Sequence, residues 1–475
     1  MDRMLVGAGR RCLRPALAVP VLCAAMLHSA SAQTDAAMRE ILDRLDRLEA
    51  QNRALMAKID ALQAELAAAR AVPAADSVSV GSPTAGASPP PGAPTVEERI
   101  GVQESRTAEQ AQSKVEASQR FPIRVTGMAL FNAYRDSENS GGSAFPTYAQ
   151  PGGAAAGATF RQTILGLDYF GPSTFAGGRI SGSLRMDFWG GGGALLGQTV
   201  RLRTADISIA WRDRSFTVAQ DKSLLALREP ESLAQVGITS LTGAGNLWLW
   251  LPQARFEQDF HFGEATGLRA QVAAIETSET ALVENALSGA AAGAYSPRAE
   301  PGRPGIEGRL EFFSGAGNRI EIAPGFHHSI AHAYGGSAAA DIYSLDWLAR
   351  VSQFEFTGTV FDGTDTAALG GLQQGVVVFG PGVARAVRSL GGWGQLTWRP
   401  GSRVWFNLFA GEEDPRRSDL PVGAIGRNLA YGANIFYRLA PNVLASFEVH
   451  QYRTTYVPIV TLLSNHYDLA LAYRF

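Results

Sequence analysis

The ten residues His466–Phe475 read His-Tyr-Asp-Leu-Ala-Leu-Ala-Tyr-Arg-Phe. Tyr467, Leu469, Leu471, Tyr473 and Phe475 take every odd position, and Asp468, Ala470, Ala472 and Arg474 take the even ones. A strict period of two sends these two sets to opposite faces of a strand. One face is greasy throughout and begins and ends on aromatic rings. About ten tilted residues is what a strand needs to cross a bilayer, and aromatics gather at the two membrane interfaces. A soluble sandwich can also close on such a strand, so the rest of the chain has to decide.

From Phe121 onward the same alternation recurs between clusters of Gly, Pro, Ser, Asn and Asp. It predicts sixteen strands, at about 121–134, 160–170, 178–189, 199–212, 214–221, 249–259, 266–276, 304–313, 318–330, 341–351, 353–361, 388–399, 402–411, 427–439, 442–453 and 465–475. Their connections alternate. Short ones fall at 171–177, 213, 260–265, 314–317, 352, 400–401 and 440–441. Long ones are expected at about 135–159, 190–198, 222–248, 277–303, 331–340, 362–387, 412–426 and 454–464. Short turns on one rim and long loops on the other are what a barrel between two compartments requires. The faces agree. Ile306, Gly308, Leu310 and Phe312 alternate with Glu307, Arg309 and Glu311. A dry core would not hold that charged set, but a wet lumen would. Parity breaks between Leu202 and Ile207, which predicts a β-bulge near Thr204. The fold class is all-β, a sixteen-stranded antiparallel transmembrane barrel, preceded by a periplasmic coiled-coil helix.

The segments before the barrel differ in kind. Residues 1–32 read as a secretory signal, with Arg3, Arg10, Arg11 and Arg14, an apolar stretch and Ala30-Ser31-Ala32. Both cysteines, Cys12 and Cys23, lie within it. Its removal takes the formal charge from −2 to about −5, which excludes a generic nucleic-acid binder. Residues 33–71 carry a heptad pattern, from Met38 through Ile41, Leu45 and Leu48 to Leu66. Asn52 at a core position leans toward a dimer. Arg44-Leu45-Asp46-Arg47-Leu48-Glu49 matches the pattern of short trimeric coiled coils, so a homotrimer is favoured. Residues 72–95 form a Pro/Ala/Ser/Gly-rich linker, 96–120 a polar helical lead-in, and 121–475 the barrel.

Sixteen strands enclose more space than their own side chains fill. Residues 222–248 are too apolar for a freely solvated loop, carrying Leu224, Leu225, Leu227, Ile238 and Leu241. Packing against the inner wall is the expected place; an external loop resting on neighbours is the alternative. Lysine occurs only at positions 58, 114 and 222, so the cationic chemistry belongs to arginine, which suits carboxylate and phosphate. The candidate constriction residues are Arg185, Arg203, Lys222, Arg228, Arg255, Arg309, Arg319 and Arg350. Facing them stand Asp187, Glu257, Glu307, Glu311, Glu321, Asp346, Glu355 and Glu448, with which they can equally pair to stiffen the wall. His327 and His328 are adjacent, so they point to opposite faces and suggest no metal cage. Arg416 and Arg417 are a candidate lipopolysaccharide contact. No hydrolase, phosphate-loop or zinc-protease motif is present, and no cofactor is expected.

The signal, the coiled coil, the Pro-rich spacer and Phe121-Pro122-Ile123-Arg124-Val125-Thr126-Gly127 opening a barrel together resemble the DcaP-like trimeric porins. The likeness to the phosphate-selective porins O and P is looser, and lysine scarcity departs from their pattern. Val200-Arg201-Leu202-Arg203, Gln220-Asp221 and Pro252-Gln253-Ala254-Arg255 resemble corresponding segments of those families. The resemblance implies a trimer in the outer membrane that passes small, often anionic solutes such as dicarboxylates. The alternative is a structural tether, with the coiled coil on peptidoglycan and the barrel as anchor.

Overall fold

The structure is a computed structural model and describes residues 122–190, 198–277, 279–283, 298–315, 317–333, 335–380 and 382–475. The signal, coiled-coil, linker and lead-in segments expected at 1–120 lie outside the described residues.

Sixteen barrel strands are present among the described residues: β1 (Ile123–Asp136), β2 (Ile164–Ser173), β3 (Arg179–Gly190), β4 (Thr199–Ala210), β5 (Arg214–Lys222), β6 (Trp250–His261), β7 (Thr266–Ile275) and β8 (Gly305–Ser314). They continue as β9 (Arg319–Ala333), β10 (Gly336–Val351), β11 (Phe354–Thr364), β12 (Arg388–Trp398), β13 (Val404–Pro415), β14 (Ile425–Ala440), β15 (Val443–Tyr456) and β16 (Val460–Arg474). Each pairs antiparallel with the next. The ring closes where β1 pairs β16 from Met128↔Arg474 to Asp136↔His466. Closure leaves no strand edge, which is the condition for a sheet to stand in hydrocarbon.

The faces follow the alternation. On β16, Tyr467, Leu469, Leu471 and Tyr473 are exposed, while Ser464, His466, Asp468, Ala470 and Ala472 are buried inward. On β8, Ile306, Leu310 and Phe312 face out, and Glu307, Arg309 and Glu311 face in and are nearly inaccessible. An apolar surface running round a whole barrel has no counterpart on soluble proteins, whose exposed patches are small. Rings collect near the short-turn rim: Phe354 stacks with Trp398, and Trp398 with Phe406 at 5.4 Å. That is the aromatic girdle of a bilayer-spanning barrel.

The bulge falls at Arg203. Arg185 pairs Thr204 and Met186 pairs Leu202, so Arg203 is the extra residue. The slip restores Ile207 to the outer face and turns Asp206 and Ser208 inward.

Two expected long connections are corrected. Residues 331–340 are not a loop. β9 runs to Ala333 and β10 starts at Gly336. Residues 454–464 likewise belong to β15 and β16, leaving only 457–459. Both hairpins extend past the greasy band. Ala331, Ala333 and Ala338 pack on Val376 and Val378 of another loop, so their strands need no lipid-facing alternation there.

Candidate functional site: the barrel lumen and its inner loop

The connection 223–249 lies inside the barrel. Read in chain order, it meets the wall strands almost in their order around the ring. Ser223 donates to Glu307 on β8 at 2.6 Å, and the Leu224 N–H donates to the same carboxylate at 2.8 Å. Arg228 donates to Asp346 on β10 at 2.6 Å and to Glu321 on β9 at 2.7 Å. The Glu231 N–H donates to Gln395 on β12, and its carbonyl accepts from Asn434 on β14, both at 2.8 Å. Ser232 donates to Glu448 on β15, and Asn132 on β1 donates to the Leu233 carbonyl at 2.8 Å. Gln162, just before β2, accepts from the Val236 and Gly237 N–H groups at 2.7 Å each. On β4, Arg203 donates to the Val236 carbonyl at 2.7 Å and Arg201 to the Gly237 carbonyl at 2.6 Å. The segment is therefore a belt fastened around the inner perimeter, its backbone polar groups met by wall side chains as burial demands.

Apolar contacts seat the belt where it begins and returns. Leu224, Leu225 and Leu247 pack with Ile275 and Ile342 of the wall and with Leu369. Leu241 and Ala244 pack on Trp393, Phe409 and Tyr452. The return approaches the wall so closely that a Cβ on Gly245, at φ +90°, would lie 2.1 Å from the Gly392 carbonyl oxygen. A Cβ on Gly411 would lie 2.2 Å from the Ala244 carbonyl oxygen. Only glycine allows this contact.

Two external loops also fold inward, which the sequence reading did not anticipate. In the first, the Ala149 N–H donates to Thr454 at 2.7 Å, and the Pro146 carbonyl accepts from Gln235 of the belt at 3.0 Å. In the sixth, the Leu369 carbonyl accepts from the Trp248 N–H at 3.0 Å. Glu413 holds Thr366, the Leu372 N–H and Ser389 in the same region. The apolar run Val376 to Phe379 was the available signal for the second of these.

The seven candidate arginines and the lysine divide into three groups, and every one has a carboxylate partner. Arg203 and Lys222 lie beside Trp250 toward the long-loop rim, and Arg255 stands opposite Thr217 at mid-height. Arg203 lies 4.5 Å from the Trp250 ring and 3.2 Å from Asp187. Lys222 pairs with Glu229 of the belt, and Arg255 with Asp221 at 3.2 Å. Arg228 and Arg309 share Asp346 beneath the belt; Arg309 reaches it at 2.8 Å and Glu311 at 2.7 Å. Arg319 and Arg350 lie toward the short-turn rim, bound to Glu321 and Glu355, and Arg185, level with the bulge, is bound to Asp168. Arg201 is a further lumenal cation, 2.6 Å from Asp187 and 5.2 Å from Trp250. Its place on the same face as Arg203, two residues away, was the available signal. Adjacent His327 and His328 do face opposite ways: His327 is buried against Glu307 and Ser329, and His328 is exposed beside Asp341.

Among the described residues, no hydrogen bond of segment 223–237 reaches the lumenal side chains of β6 and β7. There Arg255, Glu257 and Gln271 form a polar ladder, Gln271 donating to Glu257 at 2.8 Å, with Arg269 bound to Asp259 at 2.7 Å. The belt and this ladder are thus two unlike sides of one water-facing interior.

A closed antiparallel barrel, apolar outside, charged inside and carrying a folded-in third loop, is a barrel of the porin type. In particular, the fold is that of the outer-membrane channel DcaP of Acinetobacter baumannii, with a TM-score of 0.59 at 14% identity, covering 74% of this chain and 97% of that one. An anion-selective porin from Comamonas acidovorans is also similar, with a TM-score of 0.48 at 10% identity, covering 74% of this chain and 99% of that one. No protein-family model and no curated protein matches the sequence. The resemblance expected from the sequence thus holds at the level of fold.

Proposed function

We propose that the chain is an outer-membrane porin through which small hydrophilic solutes diffuse passively. The observation that carries this reading is the belt. A segment of 27 residues tied by charged and amide side chains round the inside of a lipid-facing barrel narrows a wet lumen without filling it with a hydrophobic core. Selectivity then arises at the narrowest point, where low-dielectric walls strengthen each charge.

The finer reading is a preference for anions such as dicarboxylates, resting on Arg201 and Arg203 over Trp250 and on Lys222 and Arg255. These cations each face a carboxylate, so the preference is modest rather than steep. Assembly as a homotrimer extends the same proposal. Planar-bilayer recording of the purified protein tests it. Discrete channels with a mild anion-selective reversal potential are expected. No conductance sinks the porin reading, and a clear cation preference sinks only the finer one.

A further inference from the structure

We propose that the outer rim of the barrel over β11–β13 binds a phosphate-bearing lipid headgroup of the surrounding leaflet. This rests on the barrel's standing in a membrane and not on its conducting.

A pocket of about 330 Å³ at the long-loop rim is lined by Asp362, Arg388, Leu390, Asp414, Arg416 and Arg417, with Pro415. It opens to the outside of the barrel. Leu390 is strongly exposed, while its neighbour Ser389 is buried inward. In register, Leu390 stands opposite Asp362 on β11 and Asp414 on β13, so all three belong to one outward row. Below them the outward rows read Val360–Gly392–Glu412, then Gly358–Gly394–Ala410, then Phe356–Leu396–Leu408. Beneath the pocket, Gly392, Gly394 and Ala410 keep the wall shallow, between Glu412, held by Arg427 on one side, and the Trp347 ring over Gly358 on the other, before it becomes fully greasy. A charged pocket continuous with a shallow apolar trough fits an amphiphile and not a free ion.

The charges specify its head. Arg388 is held by Asp362 at 2.6 Å. Arg416 and Arg417 are exposed, and no described carboxylate pairs with either. Two open guanidinium forks beside a third match phosphate bidentately. Asp362 and Asp414 accept from hydroxyls, as on a phosphorylated sugar. Arginine stems lie along apolar surface while their heads stay at the polar boundary, and basic pockets at a bilayer edge are a recurring means of holding lipid headgroups.

The test uses the full chain purified in detergent and titrated with rough lipopolysaccharide, with its dephosphorylated form and with inorganic phosphate. Bound lipid is read by native mass spectrometry. The double variant R416A/R417A is expected to bind lipopolysaccharide about tenfold more weakly, equivalent to about 1.4 kcal/mol, with unchanged conductance. R416K/R417K keeps the charge without the fork and should fall between; it also serves if the alanine variant does not fold. Equal binding by wild type and both variants overturns the proposal, as does equal affinity for the dephosphorylated lipid. Inorganic phosphate binding as tightly as the lipid would make this an ion site instead. Loss of oligomer on gel filtration would make the rim an interface between copies.

Discussion

Arg228 is the belt's strongest ionic fastening, and replacing it with alanine exposes what the belt does. It makes two charge-assisted hydrogen bonds, to Asp346 at 2.6 Å and Glu321 at 2.7 Å. Such bonds contribute about 1.5–3 kcal/mol each. R228A does not orphan the acids, because Arg309 still holds Asp346 and Arg319 still holds Glu321. The larger penalty of an unpaired buried charge, about 3–5 kcal/mol, therefore does not apply. Side-chain freedom of about 2 kcal/mol is regained. The net loss is about 2 kcal/mol, a factor of about thirty between seated and loosened belt. Single-channel recording in a planar bilayer reads this as added open-state noise and brief conductance steps. Removing one lumenal positive charge also moves the reversal potential toward cations. R228K restores the potential but not the quiet baseline, because one ammonium cannot span two carboxylates as a fork does. R228A traces indistinguishable from wild type, in noise and in potential, would refute the idea that an ion-fastened belt sets the pore.

Other consequences are as concrete. R203A, which removes the guanidinium over Trp250 and the donor to the Val236 carbonyl of the belt, should shift the reversal potential toward cations and lower thermal stability by about 1–3 kcal/mol, even though Asp187 keeps Arg201. G245A forces a Cβ against the Gly392 carbonyl at φ +90° and should cost about 1–3 kcal/mol of strain, read as a lower unfolding temperature in detergent and a noisier channel. L469R puts a charge on the lipid face of β16 and should cost about 2–4 kcal/mol at mid-bilayer depth, measured by denaturant unfolding from vesicles; an unchanged midpoint would mean that this face does not meet lipid.

The sixteen strands were legible because lipid on one side and water on the other impose a period of two on every crossing. Where that two-sided demand stops, so does the signal. Ala331, Ala333, Ala338 and Ala340 carry neither face's signature, so in the sequence the ends of their strands look like a loop at 331–340. The third loop announced itself by Leu224, Leu225 and Leu241, apolar residues that a solvated loop has no use for. Its fastenings did not. Arg228 and Asp346 lie 118 positions apart, and which inward arginine meets which acid depends on strand register and on the belt's path, neither of which a local pattern encodes. The inward turn of the first loop hangs on single contacts such as Ala149 to Thr454, equally invisible to composition.

The irregularity at Arg203 has a practical meaning for anyone rebuilding this pore. A strand with that one extra residue shows two guanidinium groups to water and still returns isoleucine to the membrane a few positions on. Transplanting the pair into a regular strand would turn every later side chain inside out. The geometry of the wall and its chemistry must be moved together.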